Sequence, residues 1–131
     1  MTALANVPAF LAYFAGCVVL LGAFLVIYSW LTPINEWELI RNGNTAAALS
    51  LAGATIGFTL PLATAVFRSE SFEEMVIWAA ISLVLQLGCF VMMRFVRRDA
   101  AEALANGDMA EATVLAAASV VIGILNAACL T

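Results

Sequence analysis

The sequence predicts an all-α membrane protein, with four transmembrane helices built as two parallel two-helix repeats, each carrying a short cytoplasmic juxtamembrane helix. Three observations lead there. The nine acidic and five basic residues leave four long uncharged stretches, 1–35, 42–67, 75–93 and 112–131. Apolar residues make up 65% of the 131 positions and charged ones only 11%, against roughly 25% charged in soluble domains. A shift of 64 positions lays polar residues of the first half on those of the second. Because a helix rises about 1.5 Å per residue and the hydrocarbon layer is about 30 Å thick, each uncharged stretch is long enough to span. A charge at mid-bilayer costs roughly 2.5–3.5 kcal/mol, which explains why the stretches carry none. The whole chain, 1–131, is one four-span domain, with repeat units at about 1–67 and about 72–131.

The first span is expected to be retained rather than cleaved. No basic residue precedes Arg41, and a signal peptide opens on a basic region followed by a shorter apolar core. A short helix over about 36–42 follows, with Asn35 as N-cap, Glu38 completing a capping box and Asn42-Gly43 as the left-handed stop. It sets Trp37, Leu39 and Ile40 beside Glu36, Glu38 and Arg41, a composition suited to lying in the interface with the indole at headgroup level.

Asn44 caps the second span, which carries Gly53-x-x-x-Gly57, a spacing that lets helix backbones approach closely in lipid. Pro61 interrupts this span and frees the carbonyl of Gly57. Asn126, or Thr59 or Thr64, is expected to satisfy it. Ser69 or Ser71 caps the third span, with Glu70, Glu73 and Glu74 near the positive end of its dipole. Gln86 lies within that span. The second short helix, about 99–106, repeats the first: Asp99 as cap, Glu102 three residues on, Asn106-Gly107 as stop. Being alanine-rich, it is expected to pack on protein or serve as a linker. Asp108 and Glu111 then form a capping box for the fourth span, whose Ser119, Gly123 and Ala127 make a small-residue ridge.

Two spans per unit make the repeats parallel, so both short helices share one membrane face. Arg41, Arg94, Arg97 and Arg98 flank that face and only Arg68 the other, which places the short helices in the cytoplasm and both termini outside.

The run Thr32-Pro33-Ile34-Asn35-Glu36-Trp37-Glu38-Leu39-Ile40, then Asn44-Thr45-Ala46-Ala47, resembles the YjfL-like family of bacterial inner-membrane proteins, the domain of unknown function 350. The resemblance continues through Gly53, Gly57, Pro61-Leu62, Gln86-Leu87 and Asn126-Ala127-Ala128-Cys129. It implies a multi-pass location in the bacterial inner membrane. It also implies association with envelope-stress components, because some relatives are encoded beside them. It supplies no catalytic residue.

The residue inventory narrows function. Lysine and histidine are absent and the net charge is −4, which argues against nucleic-acid binding and removes the commonest metal ligand and general base. Cys17, Cys89 and Cys129 show neither metal nor disulfide spacing. No cofactor, metal or catalytic residue is expected. The uncharged intramembrane residues Pro61, Gln86 and Asn126 are read as structural glue, because proton-coupled transport keeps ionisable groups in the membrane.

The leading expectation is a non-enzymatic, homo-oligomeric scaffold in the lipid bilayer. Its docking surface, Trp37, Glu38, Arg41, Arg97 and Arg98, would meet an envelope-stress partner. The alternative is a small channel or facilitator for an ion or small solute. On the predicted topology, single cysteines at Asn42 and Asn106, in a chain otherwise freed of cysteine, should both be labelled from the cytoplasmic side and one at Ser69 from the outside. Labelling of the first two from opposite sides would remove the parallel arrangement.

Overall fold

The computed structural model describes residues 5–32, 36–97 and 99–130. Among them lie six α-helices: α1 (Val7–Leu31), α2 (Glu36–Arg41), α3 (Thr45–Arg68), α4 (Phe72–Val96), α5 (Ala100–Ala105) and α6 (Met109–Cys129), with no strand among the described residues. The four long helices, α1, α3, α4 and α6, have 25, 24, 25 and 21 residues and are apolar enough to cross a membrane.

Their ends follow from specific caps. Asn44 Oδ1 accepts from Ala47 N at 3.0 Å, Ser71 Oγ from Glu74 N at 3.1 Å, and Asp108 Oδ1 from Glu111 N at 3.1 Å. Each satisfies one of the amide donors that a helix start leaves without a partner. Ser71, not Ser69, is therefore the cap of α4, and the helix begins early enough to hold Glu73 and Glu74 in its first turn. The box at Asp108 is only half formed, because the Glu111 carboxylate turns away and pairs with Arg97. Asp99 stands at the start of α5 but makes no side-chain cap bond, so the expected box with Glu102 does not form. Asn35 lies outside the described residues.

The two connectors match bond for bond. Asn42 N donates to Glu38 O, Gly43 N to Ile40 O and Asn44 N to Leu39 O, at 3.1, 3.0 and 2.9 Å. Asn106 N to Glu102 O, Gly107 N to Leu104 O and Asp108 N to Ala103 O follow at 3.0, 3.0 and 2.9 Å. Gly43 and Gly107 have φ of 87° and 79°, the left-handed region where a Cβ is disfavoured. Asn44 Nδ2 also donates to Leu104 O at 2.8 Å and Ala105 O at 3.3 Å. That bond joins the start of α3 to the end of α5, so α2 and α5 sit at the same end of the bundle.

Helix α3 is the hub. More than half of its apolar window, 56%, is buried, against 6% for α1. Its closest neighbour is α6. A Cβ on Gly53 would run into the Cα of Ala116, one on Gly57 into the Ser119 carbonyl, and one on Gly123 into the Gly57 carbonyl. Lipid tails are as apolar as leucine, so no hydrophobic force drives helices together, and close backbone packing takes its place. Elsewhere bulk fills the gaps: the Phe24 ring of α1 stacks on Phe58 of α3 at 4.8 Å, and Tyr28 meets Phe90 of α4 at 4.3 Å. A second, smaller cluster of Ala46, Ala100, Leu104, Ala112 and Leu115 seats α5 on α3 and α6.

Substitution at Gly123 should therefore be far costlier than at Gly88, where an added methyl meets nothing within 4 Å. Gly123→Ala should lose about 1–3 kcal/mol of resistance to denaturation in detergent, since a backbone carbonyl cannot yield as a flexible side chain would. Gly88→Ala should be neutral or gain up to about 1 kcal/mol from helix propensity. Equal behaviour of the two variants would contradict the backbone contact.

Candidate functional site

The end of the bundle that carries α2 and α5 holds a cavity of about 390 Å³, lined by Tyr28, Glu36, Ser50, Phe90, Arg94 and Ser119 among others. All four long helices contribute, as does α5. The first short helix turns an acidic residue into it. Glu36 is 3% exposed, and neither of its carboxylate oxygens has a hydrogen-bond partner among the described residues.

The orientation of α2 has a local cause. Residues four apart share a helix face, and Ile40 packs against the main core while Glu36 stands one turn before it. Trp37 and Arg41 occupy the outer face. The indole is held there by Trp37 Nε1 donating to Ser29 Oγ at 3.0 Å. In α5 the positions 64 residues further on, Ala100 and Leu104, are likewise buried. Glu36 thus occupies an inward position that is alanine in the second short helix.

This corrects the sequence expectation for α2, in which all its charged residues lie in the interface. Trp37 is half-exposed and Glu38 and Arg41 exposed, but Glu36 is a wall of the cavity. Arg97 is exposed and bridges through Nε and Nη2 to the Glu111 carboxylate. Arg98 lies outside the described residues. Of the residues proposed for docking, the described ones, Trp37, Glu38, Arg41 and Arg97, lie at one end of the bundle, but Arg97 is already engaged.

The intramembrane polar residues take their own positions. Gln86 Nε2 donates to Ser119 O at 3.2 Å and Asn126 Nδ2 to Ser82 O at 3.1 Å, both buried. Asn126 therefore bonds α4, not the carbonyl freed by Pro61. Thr59 and Thr64 do not reach that carbonyl either: their hydroxyls donate to Thr55 O and Leu60 O within α3. The Gly57 carbonyl instead abuts Gly123, where Cα–H groups are weak donors at helix contacts. The expectation failed because a side chain was sought where a glycine backbone comes close enough. Of the predicted packing set, Gly53, Gly57, Ser119 and Gly123 meet across α3 and α6, while Ala127 is half-buried.

A family profile described as Domain of Unknown Function (DUF350) matches residues 1–130. The chain belongs to this family. It is 39% identical over 131 residues to UPF0719 inner membrane protein YjfL of Escherichia coli (strain K12), covering 100% of this chain and 99% of the relative. The protein of the same description from Escherichia coli O157:H7 matches to the same extent. UPF0719 transmembrane protein YshE of Bacillus subtilis (strain 168) is 26% identical over 84 residues, 64% of this chain and 63% of that one. No solved structure matches. With four membrane-capable helices and relatives so described, this member of the family is a multi-pass membrane protein of the inner-membrane type.

Sequence reasoning missed Glu36, Tyr28, Ser50 and Arg94 as a group. The repeat itself held the signal for Glu36, since the shift that aligns the two short helices sets it opposite Ala100, on the face shared with Ile40 and Leu104. Burial pushes the Glu36 carboxyl from an ordinary 4.5 up to about 7, and the neighbouring Tyr28 hydroxyl, short of hydrogen-bond geometry, offsets this only in part. A folded state that holds its proton to higher pH than the unfolded chain is stabilised fully below the unfolded value, and loses that stability as pH rises through the folded value. Wild-type stability should therefore fall relative to Glu36→Gln between about pH 4.5 and pH 7. Above pH 7 the difference should reach on the order of 3 kcal/mol. Tryptophan-monitored unfolding of both proteins across that range is the measurement, and parallel curves would contradict the buried carboxylate.

Proposed function

We propose that the protein is a non-enzymatic membrane scaffold, built as two parallel repeats, that presents one end face to a partner protein in envelope maintenance. The observation that carries the reading is the Asn44 amide, which bonds Leu104 O and Ala105 O and so ties the two short-helix turns into one surface. The parallel repeat is supported by the matching hydrogen bonds of the two connectors and by their paired positive-φ glycines. On this reading the face is cytoplasmic, both termini are periplasmic, and Trp37, Glu38 and Arg41 form its accessible part.

The channel reading receives less support. The amide donors of Gln86 and Asn126 are engaged on carbonyls of neighbouring helices, as packing requires. Side-chain hydrogen bonds of this kind contribute about 0.6 kcal/mol on average, consistent with modest glue between helices.

Photo-crosslinking amino acids placed in native membranes at Arg41 and Asn106, and at Phe67 as a far-end control, test the proposal. A defined protein adduct should form from the first two sites and not the third, and Trp37→Ala combined with Arg41→Glu should reduce it severalfold while membrane insertion is unchanged. Adducts independent of position, or none from either short-helix site, would remove the docking face.

A further inference from the structure

The cavity beside α2 is lined by three charge-bearing side chains, Glu36, Arg94 and Arg97, and among the described residues only Arg97 has an ion-pair partner. On one wall Glu36 is almost fully buried with both oxygens unpartnered. On another is Arg94, in the last turn of α4. Among the described residues the single ion pair is that of Arg97 with Glu111, so no described carboxylate neutralises Arg94. The same cavity is lined by the rings of Tyr28 and Phe90, 4.3 Å apart, and by Thr32 and Ser50.

Each simple ligand class leaves part of this lining unmet. An anion would pair with Arg94 and be repelled by Glu36, and a lone cation would do the reverse. A divalent metal ion needs several oxygen ligands from charged or carbonyl groups, and Glu36 is the one carboxylate lining the cavity. A wholly apolar occupant would bury both charges without partners, the costliest arrangement of all. A zwitterion with an ammonium and an anionic group a few bonds apart meets both. Its ammonium would find a carboxylate and aromatic faces, which attract cations, and its anion the guanidinium of Arg94, with geometry suited to phosphate.

Apart from Arg97, held by Glu111, and Ser119, the rest of the lining is apolar, and the site reaches inward. The cavity runs from α2 to Ser119, ten residues along α6 from Met109, or about 15 Å at the helical rise. With the four long helices spanning the bilayer, its α2 end lies toward the headgroups and its Ser119 end within the hydrocarbon, where a free polar solute would leave apolar surface uncovered. We infer that this cavity binds the headgroup of an aminophospholipid, with the ammonium against Glu36, the phosphate against Arg94 and the glycerol region along the apolar floor. The inference does not depend on the docking reading, and a lipid in this place would buttress α2 from beneath.

The test is native mass spectrometry of the purified full-length protein, delipidated and then offered defined lipids. Phosphatidylethanolamine should be retained about tenfold better than phosphatidylglycerol, which lacks the ammonium, and better than phosphatidylcholine, whose methylated head has no N–H to donate. Glu36→Gln should erase the preference for phosphatidylethanolamine over phosphatidylglycerol while the protein stays at least as resistant to unfolding, so loss of binding cannot be read as loss of fold. Arg94→Gln should weaken retention of both lipids. Equal retention of the two lipids by the wild type, or an unchanged preference in Glu36→Gln, would overturn the site. Binding of free phosphoethanolamine with no preference among lipids would overturn the lipid source.

Discussion

Three glycines decide how this bundle is put together. Gly53 and Gly57 on α3 and Gly123 on α6 let two backbones touch where any Cβ would collide with the facing chain. In lipid, where burying leucine beside leucine gains little over leaving it in acyl chains, such close packing and a few interhelical hydrogen bonds must hold helices together. The rest of the arrangement follows from that contact. With α6 seated on α3, the Ser119 carbonyl comes within reach of Gln86, and Asn126 reaches Ser82 on α4. α5, directly before α6, is brought under the Asn44 amide. The carbonyl that Pro61 would otherwise leave exposed is covered by the same approach.

The opposite strategy governs α1. It is apolar on all sides, buries only Phe24 and Tyr28, and meets the bundle through ring contacts with Phe58 and Phe90. Most of its length faces outward, as a lipid-bathed helix does. Its position matters chiefly at its end, where Tyr28 and the chain leading to α2 form one side of the cavity. A tightly joined pair, α3 and α6, with a loosely attached α1 leaves space at that end, and Glu36 is turned into it. A carboxylate held there without a hydrogen-bond partner is unfavourable for folding, and it is the least expected feature of a molecule otherwise economical in charge.

Much of this was legible in the residues. Charge-free stretches marked all four spans, because hydrocarbon tolerates no other composition over such lengths. Asn44 and Asp108 announced helix starts, the third span was left to Ser69 or Ser71, and Asn-Gly announced two turns with positive φ, since local geometry follows from local chemistry. Gly53, Gly57 and Gly123 were recognisable as packing positions from spacing. What failed were statements about partners. Asn126 was assigned to the Gly57 carbonyl and bonds Ser82 instead; Glu111 was assigned to the cap and pairs with Arg97; Asp99 occupies a cap position without making the bond. Each has the right residue type and more than one acceptor or donor within reach, and only the placement of neighbouring helices chooses between them.

The sequence by itself therefore determined that the chain is an all-helical membrane protein, where along it the four spans lie, and which small residues sit at close contacts, because these depend on solvent and on residues a few positions apart. Only the tertiary structure decided that Glu36 faces inward, that it shares a cavity with Tyr28, Ser50 and Arg94, and that the short helices are joined through Asn44. Those residues come from different helices, from 8 to 66 positions apart along the chain, and the angle at which α2 meets the bundle is set by the packing of Ile40 and the anchoring of Trp37 on Ser29. No pattern within a single helix encodes that angle.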